Sequence, residues 1–170
     1  MHRMAHEDPL TGLPNRVLLG DRLRQAIRSA SRDSHKVALI YFDLDKFKPV
    51  NDTHGHAVGD RLLQMVARRL RAGLREADTL ARVGGDEFVV LLPRCDSLAD
   101  ASRVAEHILF QLNQPFEEGE LVLNISGSLG IALFPDDGMD AEALLRAADL
   151  AMYDAKSRGR SRVSAGRSPT

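Results

Sequence analysis

Four carboxylates stand at the ends of apolar runs in this chain. Asp43 and Asp45 close the run 36–42, while Asp86 and Glu87 follow Gly84-Gly85 and precede Phe88-Val89-Val90-Leu91-Leu92. Like charges ~4 Å apart repel by about 4 kcal/mol at an effective dielectric near 20, so acids gathered at one sheet edge call for a cation. Mg²⁺ suits such a place, because it takes one or two carboxylates and completes its shell with phosphate oxygens and water. In an extended Asp43-Leu44-Asp45 both carboxylates fall on one face. The adjacent Asp86 and Glu87 would face oppositely in a regular strand, which makes Asp86, beside the glycines, the expected ligand and Glu87 its support. Any one acid alone reads as a solvated strand end. Four together, flanking Gly-Gly and a lysine-bearing loop, favour a metal site.

Metal-bound phosphate needs cations and a base needs polar edges. Lys48 follows the first acid pair, and Lys156 and Arg160 end the last helical segment. By spacing alone, Lys156 and Arg160 are surface cations complementing a helix dipole. Asn51 and Asp60 are more informative, since the N1–H and N2–H₂ donors of guanine want a carboxylate and its acceptors want an amide. Taken singly, each is more often a turn or cap residue. His56 is within reach of a ligand, although a lone histidine in a glycine turn is usually structural.

The elements that must hold these groups follow from periodicity. Residues 1–8 are polar and read as the end of something preceding, and 10–16 is a loop dense in turn formers. An amphipathic helix is expected over 17–30, then a buried strand over 36–42. Pro49 limits any helix after it to a short one. Gly55 to Asp60 reads as a glycine-bracketed turn. A helix follows with Leu62, Leu63, Val66, Ala67, Leu70 and Leu74 inward, and with Arg68, Arg69 and Arg71 on a solvated face. Gly84-Gly85 reads as a two-residue hairpin turn supplying positive φ angles between 79–83 and 88–92. Asp96-Ser97 supplies the N-cap of a helix over 98–113. Alternation over 121–133 predicts one long half-buried strand with bends at Gly127 and Gly130. A last helix spans 141–157, ended by Gly159, before a brief strand and a loose tail. Helices alternating with strands joined by a hairpin give an α+β fold with a mostly antiparallel sheet, related to the ferredoxin-like arrangement.

The bulk properties exclude several classes. The 170 residues form one domain long enough for a real core. A net charge of −1 gives no electrostatic footprint for duplex nucleic acid or an anionic membrane. The single cysteine, Cys95, permits no internal disulfide, and a reducing cytoplasm is the expected location. No apolar run approaches the ~20 residues that span a bilayer, and no signal-peptide pattern opens the chain. A domain cut from a longer, membrane-anchored receptor would look the same.

These residues match a family. Gly84-Gly85-Asp86-Glu87-Phe88 is the signature of the GGDEF family, and the sequence resembles diguanylate cyclases. The likeness extends in register to Asp8-Pro9-Leu10-Thr11-Gly12-Leu13-Pro14-Asn15-Arg16, Phe42-Asp43-Leu44-Asp45-Lys46-Phe47-Lys48, Asn51-Asp52, Gly55-His56, Gly59-Asp60 and Tyr153-Asp154-Ala155-Lys156. It implies a fold akin to polymerase palms and nucleotide cyclases, in a domain over 1–163 with a flexible tail over 164–170. It also implies that two GTP become cyclic di-GMP and two pyrophosphates across two copies of the chain in a homodimer, at least transiently. Carried over by position, Asp43, the Leu44 carbonyl and Asp86 would hold Mg²⁺, with Mn²⁺ as a substitute. Asp86, Glu87 and Lys48 would be the catalytic set. Lys156 and Arg160 would grip outer phosphate oxygens, and Asn51, His56 and Asp60, with Phe47, would face the rest of the nucleotide.

Two departures qualify the resemblance. Relatives often carry an inhibitory R-x-x-D; read as ending just before Gly84, its ends here are Leu80 and Val83, so no product inhibition is expected. No sensory or helical module stands upstream, so weak dimerisation and slow turnover are expected of this chain, with a sensory domain expected in the full-length protein. The rival class is a GTP-binding module that regulates a partner without catalysis. Degenerate domains of that kind are damaged at the third or fourth signature position or at the first strand acid, and all three are intact.

Overall fold

The computed structural model describes residues 5–166. Along the chain run α1 (Arg16–Asp33), β1 (Lys36–Asp45), α2 (Phe47–His54), α3 (His56–Ala72), β2 (Thr79–Arg82), β3 (Glu87–Cys95) and α4 (Leu98–Asn113). They are followed by β4 (Phe116–Glu118), β5 (Leu121–Leu123), β6 (Ser126–Phe134), α5 (Ala141–Ser157) and β7 (Arg162–Ser164). Five strands form one sheet in the order β2-β3-β1-β6-β7. Every pairing in it is antiparallel except β6 with β7. The α+β class with a mostly antiparallel sheet is therefore the observed one.

The middle strand explains the core. Helices cover both faces of β1, so nine of its ten residues are buried and its sequence runs apolar without alternation. Ile40, Phe42 and Leu44 join Leu62, Val66, Ala105 and Ile108 beneath α3 and α4. Leu39 and Tyr41 join Leu19, Leu23, Leu144 and Met152 beneath α1 and α5. Asp43 and Asp45 continue the second series, which carries both acids to the α1/α5 face at the strand's end. Helix α5 lies directly on β6, because Gly130 leaves no room above it: a β-carbon there would run into the backbone of Ala148, Ala151 and Met152.

Several expectations needed correction. Gly55 to Asp60 is not a turn. Gly55, at φ 91°, ends α2 and begins α3, so His56, Gly59 and Asp60 lie in the first helical turns. Of Arg68, Arg69 and Arg71, expected on a solvated face, only Arg68 is exposed. Arg69 donates to the carbonyls of Gln111, Gln114 and Pro115 and lies 3.6 Å over the Phe116 ring. Arg71 donates to the carbonyls of Asp78, Arg75 and Glu76. These two tie the loops that follow α3 and α4 to the α3 helix. The long strand is two strands in separate sheets: β5 pairs with β4 in a small hairpin, and β6, sandwiched between β1 and β7 with helices on both sides, is buried throughout. Residues from Ala5 onward belong to the domain, since Glu7 bridges Pro14 and His6 O accepts from Asn15 N. Ser164 still lies in β7, whereas most of the expected tail, 167–170, lies outside the described residues. The short α2 with Pro49 in its first turn is as expected.

Candidate active site

The site lies where β1 ends beside the loop from β2 to β3. Arg82 pairs with Phe88, so residues 83–86 bridge the strands, and Val83 N and Gly84 N both donate to Glu87 O at 2.9 and 3.3 Å. Neither Gly84 nor Gly85 has positive φ, so the expected two-residue turn is replaced by a four-residue loop. The glycines serve clearance instead. A β-carbon on Gly84 would stand 2.8 Å from Glu87 Oε1, and Gly85 faces open space. The loop is tied to β1 by Leu44 N donating to Asp86 O at 3.1 Å.

Asp43 is the focus of charge. Its Oδ2 pairs with Lys156 Nζ from the last turn of α5. Its Oδ1 is buried with no hydrogen-bond partner. Burial raises the Asp43 carboxyl above its ordinary range, outweighing Lys156, with the charges of Asp86 and Asp45 adding to the rise. Burial also raises Asp86, and the like charge of Glu87 adds to it. Lys156 is held above its usual value: burial opposes its charge, but the hydrogen bond and charge of Asp43 prevail. Lys156 is thus not a free surface cation at a helix end, and neither is Arg160, whose Nη1 lies 3.4 Å from Asp45 Oδ1.

The donor set fits a hard cation. A buried, bare carboxylate oxygen beside a second half-buried carboxylate is a place that a positive ion relieves. No cluster of three His, Cys, Asp or Glu occurs among the described residues. Two carboxylates and a carbonyl, completed from outside, match Mg²⁺.

Glu87 faces Asp43 directly across the β1–β3 ladder and so shares its face, while Asp86 sits in the loop. Tyr41 Oη lies 3.4 Å from both Glu87 Oε1 and Arg16 Nη2, and Arg16 also reaches Val83 O. Lys48 is exposed on α2 with no ion pair, and Phe47 beside it is half-buried against the core. Asn51 Oδ1 is buried and unpartnered next to Gly59, with Asp60 and His56 exposed in the first turns of α3.

Sequence reasoning missed the support around these groups. Arg82 Nη1 donates to both oxygens of Asp8 at 3.0 and 3.1 Å, and its Nε and Nη2 donate to Gly85 O at 3.0 and 2.9 Å. The glycine loop is thereby clamped to the N-terminal turn, in which Asp8 also accepts from Thr11 N and Oγ1. The turn formers at 10–16 were legible, but a partner 74 residues away was not.

The R-x-x-D expectation was read at Leu80 and Val83. Leu80 belongs to the core and Val83 to the clamped loop. The chain spells the motif earlier, as Arg75-Glu76-Ala77-Asp78, in the turn before β2. That turn faces outward, and Arg75 and Asp78 line a cleft of about 560 Å³ together with Arg94, Arg103 and His107.

Comparison with known proteins agrees with this architecture. Residues 5–162 match the family model described as "Diguanylate cyclase, GGDEF domain". The bifunctional diguanylate cyclase/cyclic di-GMP phosphodiesterase MucR of Pseudomonas aeruginosa is 49% identical over 158 residues, covering 93% of this chain and 23% of MucR. The chain thus spans about a quarter of that relative's length. The crystal structure of the GGDEF domain of TpbB from Pseudomonas aeruginosa superposes with a TM-score of 0.90 at 41% identity, covering 93% of this chain and 99% of that one. The GGDEF domain of DgcB from Caulobacter crescentus, solved in complex with c-di-GMP, gives a TM-score of 0.86 at 31% identity, covering 96% and 94%. A match over nearly the whole described chain, with the signature loop at the β1 acid, makes this protein a member of the GGDEF family of diguanylate cyclase domains.

Proposed function

We propose that this domain condenses two GTP molecules into cyclic di-GMP and two pyrophosphates, each copy of the chain presenting one nucleotide to the other. The observation that carries the reading is the bare, buried Oδ1 of Asp43 beside Asp86 and Lys156. Asp43, the Leu44 carbonyl and Asp86 would hold Mg²⁺, which supplies charge stabilisation at the phosphates when bound. Asp86, raised in pKa by burial, is suited to accept the proton of the attacking 3′-hydroxyl. Glu87 is held beside Asp43 by the Tyr41–Arg16 contact and supports the acid pair. Lys48 steadies charge developing at the phosphates, and Lys156 and Arg160 grip their outer oxygens. Asn51 and Asp60 meet the guanine edge, with His56 and Phe47 bordering the nucleotide. The cleft at Arg75 and Asp78 is the place for product to bind and restrain the enzyme. Its guanidinium groups suit phosphodiester oxygens, its volume is that of a small-ligand site, and a DgcB relative was solved in complex with c-di-GMP.

Incubation with GTP and Mg²⁺ followed by separation of the products tests the reading. A cyclic dinucleotide is expected, abolished by Asp43→Ala and by Asp86→Ala. Bound but unaltered GTP would instead mark the domain as a regulatory GTP-binding module.

A further inference from the structure

We propose that Asp45 is a positioning residue that aims Arg160 at the outer phosphates of the nucleotide, and not a second carboxylate of the metal site. The inference rests on the reading above. Asp43 and Asp45 share a sheet face, yet their surroundings differ. Asp43 keeps one oxygen bare. Both oxygens of Asp45, which is 5% exposed, are taken up by protein donors. Ser128 Oγ lies 3.0 and 2.9 Å from Oδ1 and Oδ2, Ser161 N donates to Oδ2 at 2.9 Å, and Arg160 Nη1 stands 3.4 Å from Oδ1. A carboxylate saturated by a hydroxyl, an amide and a guanidinium has little left to offer an ion.

The chain beyond α5 shows what this carboxylate holds. Gly159, Arg160 and Ser161 have φ of 121°, 63° and 50°, a left-handed run in which two of the three residues carry side chains. Non-glycine residues persist there only where the surroundings over-determine them. Asp45 supplies that constraint through the Ser161 amide, and Ser126 Oγ adds a hydroxyl contact to Ser161 Oγ at 2.6 Å. The anchored turn lifts the Arg160 side chain, 58% exposed, out of a buried socket toward solvent at the mouth of the site. Removing the carboxylate's charge therefore lets go of the Arg160 guanidinium, and no hydrogen bond to Asp43 or Asp86 is lost with it.

The test uses 3′-deoxy-GTP, which cannot be condensed, with Mg²⁺, and calorimetric affinities for Asp45→Asn, Arg160→Ala and the double variant. Asp45→Asn keeps an acceptor for the Ser161 amide and so preserves the fold, checked by circular dichroism. It is expected to weaken nucleotide binding about tenfold, the loss of one charge-assisted contact. The double variant is expected to bind no worse than Arg160→Ala alone. Mn²⁺ affinity of the nucleotide-saturated protein, read by electron paramagnetic resonance, is expected to fall by far less than nucleotide affinity in Asp45→Asn. Ser128→Ala, which leaves the carboxylate in place, is expected to weaken nucleotide binding by less. Additive losses in the double variant, or a loss of Mn²⁺ affinity with nucleotide affinity intact, would overturn the proposal. Nucleotide binding by the wild type with no change in Asp45→Asn would overturn it alone, whereas no binding by the wild type would overturn the functional reading as well.

Discussion

Gly59 exists for Asn51. A β-carbon at position 59 would overlap the Asn51 side-chain oxygen outright, and that oxygen is itself buried without a partner. The first turns of α3 are therefore packed so closely on α2 that only a bare glycine lets the amide keep its place. Gly59→Ala is expected to push Asn51 out of position and to raise the KM for GTP at least tenfold, with a loss of thermal stability of about 1–3 kcal/mol from overpacking. Steady-state kinetics and thermal denaturation read both effects. An unchanged KM would remove Asn51 from nucleotide recognition.

Asp60 stands exposed one residue further along α3, where it can meet the donor edge of a guanine. Asp60→Ala is expected to lower the preference for GTP over ATP while leaving the fold intact. Competition binding with the two nucleotides measures this, and retained selectivity would exclude Asp60 from base recognition.

The Asp8–Arg82 clamp makes a pH prediction. Burial alone would raise the Asp8 carboxyl, but hydrogen bonds from Thr11 and Arg82 outweigh it, so its folded pKa lies below the ordinary 3.8. A depressed carboxylate contributes stability that is present above its unfolded pKa and is lost as pH falls through the folded value. Asp8→Asn is therefore expected to lose about 1–3 kcal/mol at pH 7 and to lose less than the wild type below pH 4. Urea unfolding across that pH range checks the sign, and parallel curves for the two proteins would refute it.

Arg75 and Asp78 give a prediction opposite to the one drawn from Leu80 and Val83. Cyclic di-GMP is expected to inhibit the wild type without competing with GTP, and Arg75→Ala is expected to relieve that inhibition at least tenfold. Inhibition that competes with GTP, or that survives in Arg75→Ala, would show that the cleft is not the regulatory site.

On the proposed reading two copies of the chain meet for turnover, so the rate is expected to rise more steeply than linearly with enzyme concentration. Strict linearity over a hundredfold dilution would contradict a transient dimer.

The sequence alone determined the class of fold and the family of the domain. A strand buried on both faces must be continuously apolar, so 36–42 announced itself, and acids ending such a strand beside Gly-Gly stand out against any core pattern. The cap at Ser97 is a short-range hydrogen bond between near neighbours, of the kind that residue type and spacing disclose. The tertiary structure decided what depends on residues far apart in the chain. Asp45 finds Ser128 and Ser161, Arg82 finds Asp8, and Arg69 and Arg71 turn from a solvated face to bind carbonyl groups of neighbouring loops. Whether Gly59 closes a turn or packs a helix, and whether an R-x-x-D points into the core or a cleft, depends on the neighbouring element. Periodicity records which face of an element is buried, whereas the partner of a buried polar group is set by the docking of whole helices and strands.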